Sequence, residues 1–129
     1  MKISKKQYFF GLLIFMILLF NLASYKESIF LKSISPNKEN KIVIRNKDPF
    51  LFGATPIFIT FKKTSLFSFG SVKYETYIGN DGGVLYDDNI TVSWIDSNTA
   101  IITLKGEEQA DEKIKVFFNK DITYEILQN

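Results

Sequence analysis

Residues 71–104 read SVKYETYIGNDGGVLYDDNITVSWIDSNTAIITL. In Ser71–Ile78 and again in Asn89–Ile95, apolar and polar residues alternate, which is the period of a half-buried β-strand. The turn-forming sequence Asn80–Gly83 follows the first segment, and Asp-Ser-Asn separates the second from Thr99–Leu104. The stretch therefore predicts short strands joined by turns.

The same pattern continues on both sides of this stretch. Further strands are predicted at Ile29–Ile34, Asn40–Arg45, Thr55–Lys62, Glu112–Phe118 and Asp121–Leu127. Seven or eight strands at a spacing of roughly ten residues favour an all-β domain, either an antiparallel sandwich or a curled sheet. The predicted core is Ile42, Ile44, Ile57, Ile59, Val72, Tyr74, Ile78, Ile90, Val92, Trp94, Ile102, Leu104, Ile114, Val116, Ile122 and Tyr124.

The N-terminal segment, residues 1–25, has a different composition. Lys2, Lys5 and Lys6 precede nineteen uncharged residues, Gln7–Tyr25. As a helix such a run is about 28 Å long, close to the thickness of a hydrocarbon core. Lysines on its N-terminal side favour a cytoplasmic N-terminus. We therefore expect a single-pass transmembrane helix that contacts the membrane through residues 8–25, with an extracytoplasmic β domain, residues 26–129.

Two alternatives to an uncleaved anchor remain open for this segment. The strictly apolar run Tyr8–Phe20 has the length of a signal-peptide core, so cleavage at Asn21-Leu22-Ala23 or at Leu22-Ala23-Ser24 would release a secreted domain. A buried core helix is the second alternative, although the segment is apolar on every face.

The charges are unevenly distributed along the chain. Residues 25–74 carry nine basic and three acidic residues, and residues 75–129 carry four basic and eleven acidic ones. We expect the two halves to interleave in the sheet and neutralise each other; the alternative is a dipolar surface that steers a charged partner. Beyond residue 25 the net charge is −1, which does not fit a nucleic-acid binder.

Three motifs could carry chemistry, and each has a simpler explanation. Ser35-Pro36-Asn37-Lys38 matches the S-x-x-K pattern of serine–lysine enzymes, but its proline and asparagine favour a β-turn. The acid pairs Asp87-Asp88, Glu107-Glu108 and Asp111-Glu112 could supply an acid and a base, yet acids in loops are normally solvated. Asn80–Gly83 followed by Asp87–Asn89 offers oxygen ligands for calcium without the spacing of an EF-hand.

The chain contains neither cysteine nor histidine. Disulfides, the commonest general base and the commonest transition-metal ligands are therefore missing from its chemistry. We predict no catalytic, cofactor-binding or metal-binding residue, and no enzymatic activity.

The segment 50–69 is rich in phenylalanine. It contains Phe50, Phe52, Phe58, Phe61, Phe67 and Phe69, next to Lys62 and Lys63. Since Phe58 and Phe61 point to opposite faces of one strand, that strand is either covered on both sides or presents a contact patch. Core packing is one explanation; a surface that contacts a protein or an anionic bilayer is the other.

Three turn-and-strand motifs carry a resemblance to a known family. Ser35-Pro36-Asn37, Gly53-Ala54-Thr55 and Val92–Thr99 resemble motifs of small Gram-positive membrane-anchored proteins with an extracytoplasmic domain of unknown function. The resemblance covers about seventy residues and implies a similar topology and location. It implies no catalytic residue. The Phe-rich middle and the hairpin beyond Gly106 depart from the family pattern.

These observations predict a membrane-anchored envelope protein that acts as a non-enzymatic binding or structural module, with an envelope protein or lipid as its partner. An immunity protein that protects its producer from a toxin or bacteriocin is the alternative, by analogy with other small anchored proteins.

Overall fold

A computed structural model describes residues 4–24, 26–48, 53–65, 70–80 and 84–128, with side chains in the helix described as far as Asn21. The chain begins with one helix, α1 (Lys5–Ser24). Ser4 and Gln7 form a capping box at its start: the Gln7 backbone N–H donates to Ser4 Oγ (3.3 Å), and the Ser4 N–H donates to Gln7 Oε1 (2.9 Å). This reciprocal pair satisfies two backbone donors that the first helical turn leaves free.

The surface of α1 is apolar around its circumference. All large apolar side chains from Tyr8 to Phe20 are 45–71% exposed. These side chains are not part of the core of the β domain. The alternative in which the segment is a buried core helix is therefore wrong. Within the described part of the chain, no helix combines the length and the apolar character that crossing a membrane requires. The transmembrane assignment stays a prediction.

Eight strands follow the helix. They are β1 (Glu27–Ile34), β2 (Asn40–Lys47), β3 (Thr55–Lys63), β4 (Ser71–Ile78), β5 (Ile90–Trp94), β6 (Thr99–Leu104), β7 (Glu112–Phe118) and β8 (Ile122–Leu127). Each predicted strand is present, with ends that differ by no more than two residues from the prediction. The alternation of residue types and the turn residues between strands therefore specify the local structure here.

The strands form two antiparallel sheets in chain order, β1-β2-β3-β4 and β5-β6-β7-β8. One apolar core joins their inner faces, so the fold is a sandwich of two meanders and not a single curled sheet. Its members are Ile42, Ile44, Ile57, Ile59, Phe61, Ile78, Ile90, Ala100, Ile102, Leu104, Ile114, Val116 and Phe118.

The expected interleaving of the basic and acidic halves is wrong. The first sheet is built entirely from residues 27–78 and the second from residues 90–127. Because each meander pairs only sequential neighbours, the lysine-rich half of the chain forms a sheet of its own. The excess of basic residues therefore lies in the first sheet and is not mixed with the strands of the acidic half.

The core prediction fails mainly at the edges. Tyr124 lies on edge strand β8 and is 38% exposed, while Val72, Tyr74, Val92, Trp94 and Ile122 are only partly buried against the core. Aromatic residues replace them at the centre: Phe61 is fully buried and meets the Phe118 ring edge-on, with 6.4 Å between ring centroids. Edge strands have a neighbour on one side only, which leaves their side chains closer to water.

A β-bulge adjusts the first strand. Ile29 pairs with Arg45 and Leu31 pairs with Ile44, so Phe30 is the extra residue. Both Phe30 and Leu31 then pack against the core, which strict alternation would forbid.

Candidate functional site

The Ser35–Lys38 motif is a structural turn. The Lys38 backbone N–H donates to the Ser35 carbonyl (2.9 Å), which closes a β-turn. Ser35 Oγ is buried, donates to Asn37 Oδ1 (2.6 Å) and accepts the Asn40 backbone N–H (3.0 Å). The hydroxyl thus donates and accepts one hydrogen bond each within the turn, which gives Ser35 a structural role.

Asn40 ties this turn to the other sheet. Its buried amide nitrogen donates to the Ser97 carbonyl (2.8 Å) and to Asn98 Oδ1 (3.2 Å). Lys63 extends across the same end of the sandwich and donates to the Asn119 carbonyl. An open groove of about 500 Å³ lies here, lined by Glu39, Asn40, Lys63, Thr64, Ser65, Asn98 and Phe118. Its polar side chains join the two sheets.

The predicted acid pairs do not form a cleft. Asp87 and Asp88 are exposed in the turn before β5, and Glu107, Glu108 and Asp111 are exposed in the loop before β7. Only Glu112 is partly buried. The exposed carboxylates therefore lie in loops and turns, where acidic side chains are ordinarily solvated.

The calcium motif falls partly outside the described residues, because these do not include Asp81, Gly82 or Gly83. The amide oxygens on either side have protein partners. Asn89 Oδ1 accepts from Asn80 Nδ2 (2.9 Å) and from the Tyr86 N–H (2.6 Å), and Asn80 Oδ1 accepts the Glu107 N–H (3.1 Å). Among the described residues, no group of three or more His, Cys, Asp or Glu side chains could hold a metal ion.

Glu112 bridges the two sheets at their β4 and β7 strands. Its carboxylate accepts hydrogen bonds from the Tyr74 hydroxyl and from Thr76 Oγ1 (2.9 Å). Burial, together with the hydrogen bond and the negative charge of Glu112, raises the pKa of Tyr74 to about 12. The phenol therefore stays protonated and donates over the whole physiological range, which makes this a structural contact.

Part of the Phe-rich segment is now assigned. Phe61 belongs to the core, and Phe58 is half-buried on the opposite face of β3. Phe50, Phe52, Phe67 and Phe69 lie outside the described residues. Core packing is confirmed for Phe61, whereas the contact surface stays a prediction, because the structure shows only that Phe58 lies on the outer face.

The outer face of the first sheet is basic, and we call it the basic face. It carries six basic and two acidic side chains, on rows defined by strand register: Lys32, Lys41, Arg45, Lys47, Lys62 and Lys73, with Glu27 and Glu75. Three large apolar side chains on the same face are more than half exposed: Ile29, Ile34 and Tyr77. Such a combination suits an anionic surface with an apolar component.

Val43 shows how this face is organised. It lies at the centre of the outer face, yet it is only 4% exposed. Its cross-strand neighbours are Lys32 and Thr60, and Lys41 and Arg45 lie two residues away on the same strand. Long basic side chains cover apolar surface with their stems and hold their charged ends in water. The low exposure of Val43 is consistent with such cover by the neighbouring basic side chains.

The outer face of the second sheet differs in charge and chemistry. Hydroxyl residues dominate its rows, for example Thr91 opposite Thr103, and its charged residues are Lys113, Lys115 and Glu125. Lys115 Nζ lies 5.1 Å from the centre of the Phe117 ring. This face is close to neutral, so the sandwich has one strongly basic side.

Sequence reasoning favoured interleaved halves, kept a dipolar surface only as the alternative, and missed the buried amides. The excess of basic residues in the first half was visible, but the sequence did not show that these residues share one sheet. The sequence places Asn40 and Asn89 at the starts of predicted strands and Asn80 in a turn. Neither pattern distinguishes a solvated amide from one that is buried and hydrogen-bonded to another part of the fold.

Comparison with known proteins identifies no relative: no family model, no curated protein and no solved structure matches this chain.

Proposed function

We propose that this chain is a membrane-anchored envelope protein whose β-sandwich, held outside the cell membrane, acts as a non-enzymatic binding module. One observation carries the proposal: α1 exposes its whole apolar surface, whereas the sandwich core is built from strands alone. Apolar side chains exposed in this way are unfavourable in water, which supports the proposal that lipid covers α1.

The direction of insertion is proposed from the charges around the helix. Lys5 and Lys6 begin α1, and Lys2 lies before it. Positive residues at one end of an apolar helix favour retention of that end in the cytoplasm. The sandwich would then lie on the outer side of the membrane.

The binding role is supported by how the polar groups are used. Ser35, Asn40, Asn80 and Asn89 satisfy turns and links between the sheets, as described above. In the described part of the chain, these groups form no arrangement in which a nucleophile is paired with a base. The polar and charged groups that could bind a partner therefore lie on the outer surfaces of the sandwich, because those inside it already bind each other.

Fractionation of cells that express the full-length chain tests this proposal. We expect the protein in the membrane fraction, resistant to extraction at alkaline pH. Ile14→Lys combined with Leu18→Lys should move it to the soluble or aggregated fraction, because each lysine in the middle of a membrane helix costs about 3 kcal/mol. Wild-type protein that is freely soluble would refute the anchor.

The matched control places the same substitution outside α1. Val84→Lys combined with Ile126→Lys replaces two apolar residues that are 52% exposed in the β domain. This variant should remain in the membrane fraction. If it leaves the membrane like the helix variant, membrane attachment does not depend on α1.

A further inference from the structure

The first sheet starts directly after α1. The helix ends at Ser24 and β1 begins at Glu27, so only two residues lie between them. An extended chain advances at most about 3.6 Å per residue, which limits the separation of the two elements to roughly 10 Å. If α1 is in the membrane, edge strand β1 begins within roughly 10 Å of the end of the helix, a distance comparable with the Debye length of about 8 Å at physiological ionic strength.

The strand that is placed there belongs to the basic sheet. β1 pairs with β2, and the first row of the basic face contains Glu27 opposite Lys47. The following rows place Arg45, Lys32 and Lys41 progressively further along the face. The sheet tethered closest to the bilayer is therefore the one with six basic and two acidic outward side chains.

We propose that the basic face binds the phosphate headgroups of anionic phospholipids, so that the first sheet lies against the outer leaflet and the second sheet faces away from it. This inference rests on the proposed membrane anchor for the proximity of the bilayer, while the charge of the face is a property of the sandwich itself. The exposed Ile29, Ile34 and Tyr77 would contact the interfacial region beside the headgroups.

Charge complementarity selects the lipid. Each Lys or Arg close to an anionic leaflet increases membrane binding about fivefold. A zwitterionic leaflet offers no such gain, and the nearly neutral outer face of the second sheet would gain little from either. The sandwich should therefore adopt one preferred orientation on anionic membranes only.

The test uses single cysteines, because the natural chain has none. Thr60→Cys and Thr103→Cys form a matched pair: both threonines are half-buried on the outer face of a central strand, the first on β3 and the second on β6. The full chain, labelled at either site with an environment-sensitive dye, is reconstituted into vesicles of phosphatidylcholine alone or with one part in three phosphatidylglycerol. Quenching by neutral acrylamide reports access from water.

We expect the label at residue 60 to be quenched at least threefold less in the anionic vesicles than in the zwitterionic ones. The label at residue 103 should be equally accessible in both. Protection at residue 60 should disappear at about 1 M salt, where the Debye length is only about 3 Å. Equal access of the two labels in anionic vesicles would overturn the inference.

Neutralisation of the face provides a second arm. Lys41→Gln, Arg45→Gln, Lys62→Gln and Lys73→Gln together should abolish the protection at residue 60. As control, Lys113→Gln with Lys115→Gln on the second sheet should leave it unchanged. Protection that survives the fourfold variant would also overturn the inference.

Flotation of the vesicles separates the two proposals. Protein that floats with both kinds of vesicle but shows no protection at residue 60 refutes the basic-face inference and leaves the anchor intact. Protein that floats with anionic vesicles only, with residue 60 protected, supports the basic face and refutes the anchor. Protein that floats with neither refutes both.

Discussion

The bridge between Tyr74 and Glu112 makes a quantitative prediction about the stability of the sandwich. The Tyr74 hydroxyl and Thr76 Oγ1 both donate to the Glu112 carboxylate, and these contacts join the first sheet to the second. A hydrogen bond to a charged group contributes about 1.5–3 kcal/mol, and partial exposure of this site lowers that value by solvent screening. Tyr74→Phe, which keeps the ring against Tyr124 at 5.2 Å, should therefore cost about 1–2 kcal/mol.

The control for this substitution lies on the same strand. Tyr77 faces outward from β4 and is 62% exposed, so Tyr77→Phe should change the free energy of unfolding by less than about 0.5 kcal/mol. Denaturant unfolding followed by the fluorescence of Trp94, the single tryptophan of the chain, measures both values. A double-mutant cycle of Tyr74→Phe with Glu112→Gln should give a coupling of about 1 kcal/mol. Equal costs for Tyr74→Phe and Tyr77→Phe, or strict additivity in the cycle, would refute the bridge.

The same bridge predicts a pH dependence. The pKa of Tyr74 is about 12 in the fold against 10.0 for a free tyrosine, because burial and Glu112 disfavour the phenolate. The folded state therefore binds the proton more tightly, so the stability from this group is complete below pH 10 and declines as the pH rises towards 12. The difference in the free energy of unfolding between wild type and Tyr74→Phe should shrink over that window. Because both proteins contain the same lysines, the contribution of lysine titration cancels in this difference. A constant difference would contradict the shifted pKa.

Three further substitutions test the packing. Gly106→Ala should destabilise by about 1–3 kcal/mol, since its Cβ would lie 2.7 Å from the Gly79 carbonyl oxygen, whereas Gly70→Ala meets nothing within 4 Å and should be neutral in the same denaturation assay. Phe61→Ala should cost about 3–5 kcal/mol by calorimetry or denaturation, because the ring is fully buried; a cost below about 1 kcal/mol would place it outside the core. Asn40→Asp should lower the free energy of unfolding by about 2 kcal/mol or more at neutral pH, since a carboxylate would face two acceptor oxygens. Acidification should restore part of this stability, and no loss at neutral pH would show that the amide link is dispensable.

The strands were predictable because they depend on neighbouring residues. Ser71–Ile78, Thr99–Leu104 and Glu112–Phe118 agree with the structure at both ends, since alternation and turn residues act over short distances. The bulge at Phe30 was not predictable, because it depends on the pairing of β1 with β2 and not on the composition of either strand.

The arrangement of the sheets required information that local patterns do not contain. Alternation shows that a strand has an inner and an outer face, but not which strands share a sheet. The basic face was missed for this reason, because a net charge of +6 between residues 25 and 74 becomes a surface only if those residues form one sheet. Phe118 and Tyr124 illustrate the same limit, since one lies in the core and the other at an edge.

The most direct test of the central claim is labelling of intact cells with a membrane-impermeant maleimide. Full-length chains carry one cysteine each, at Ser4→Cys before α1 or at Thr123→Cys on the exposed face of β8. An anchored chain with an outward sandwich predicts that residue 123 is labelled on intact cells, whereas residue 4 is labelled only after lysis. Labelling of residue 123 only after lysis, or of both sites in a soluble fraction, would contradict it.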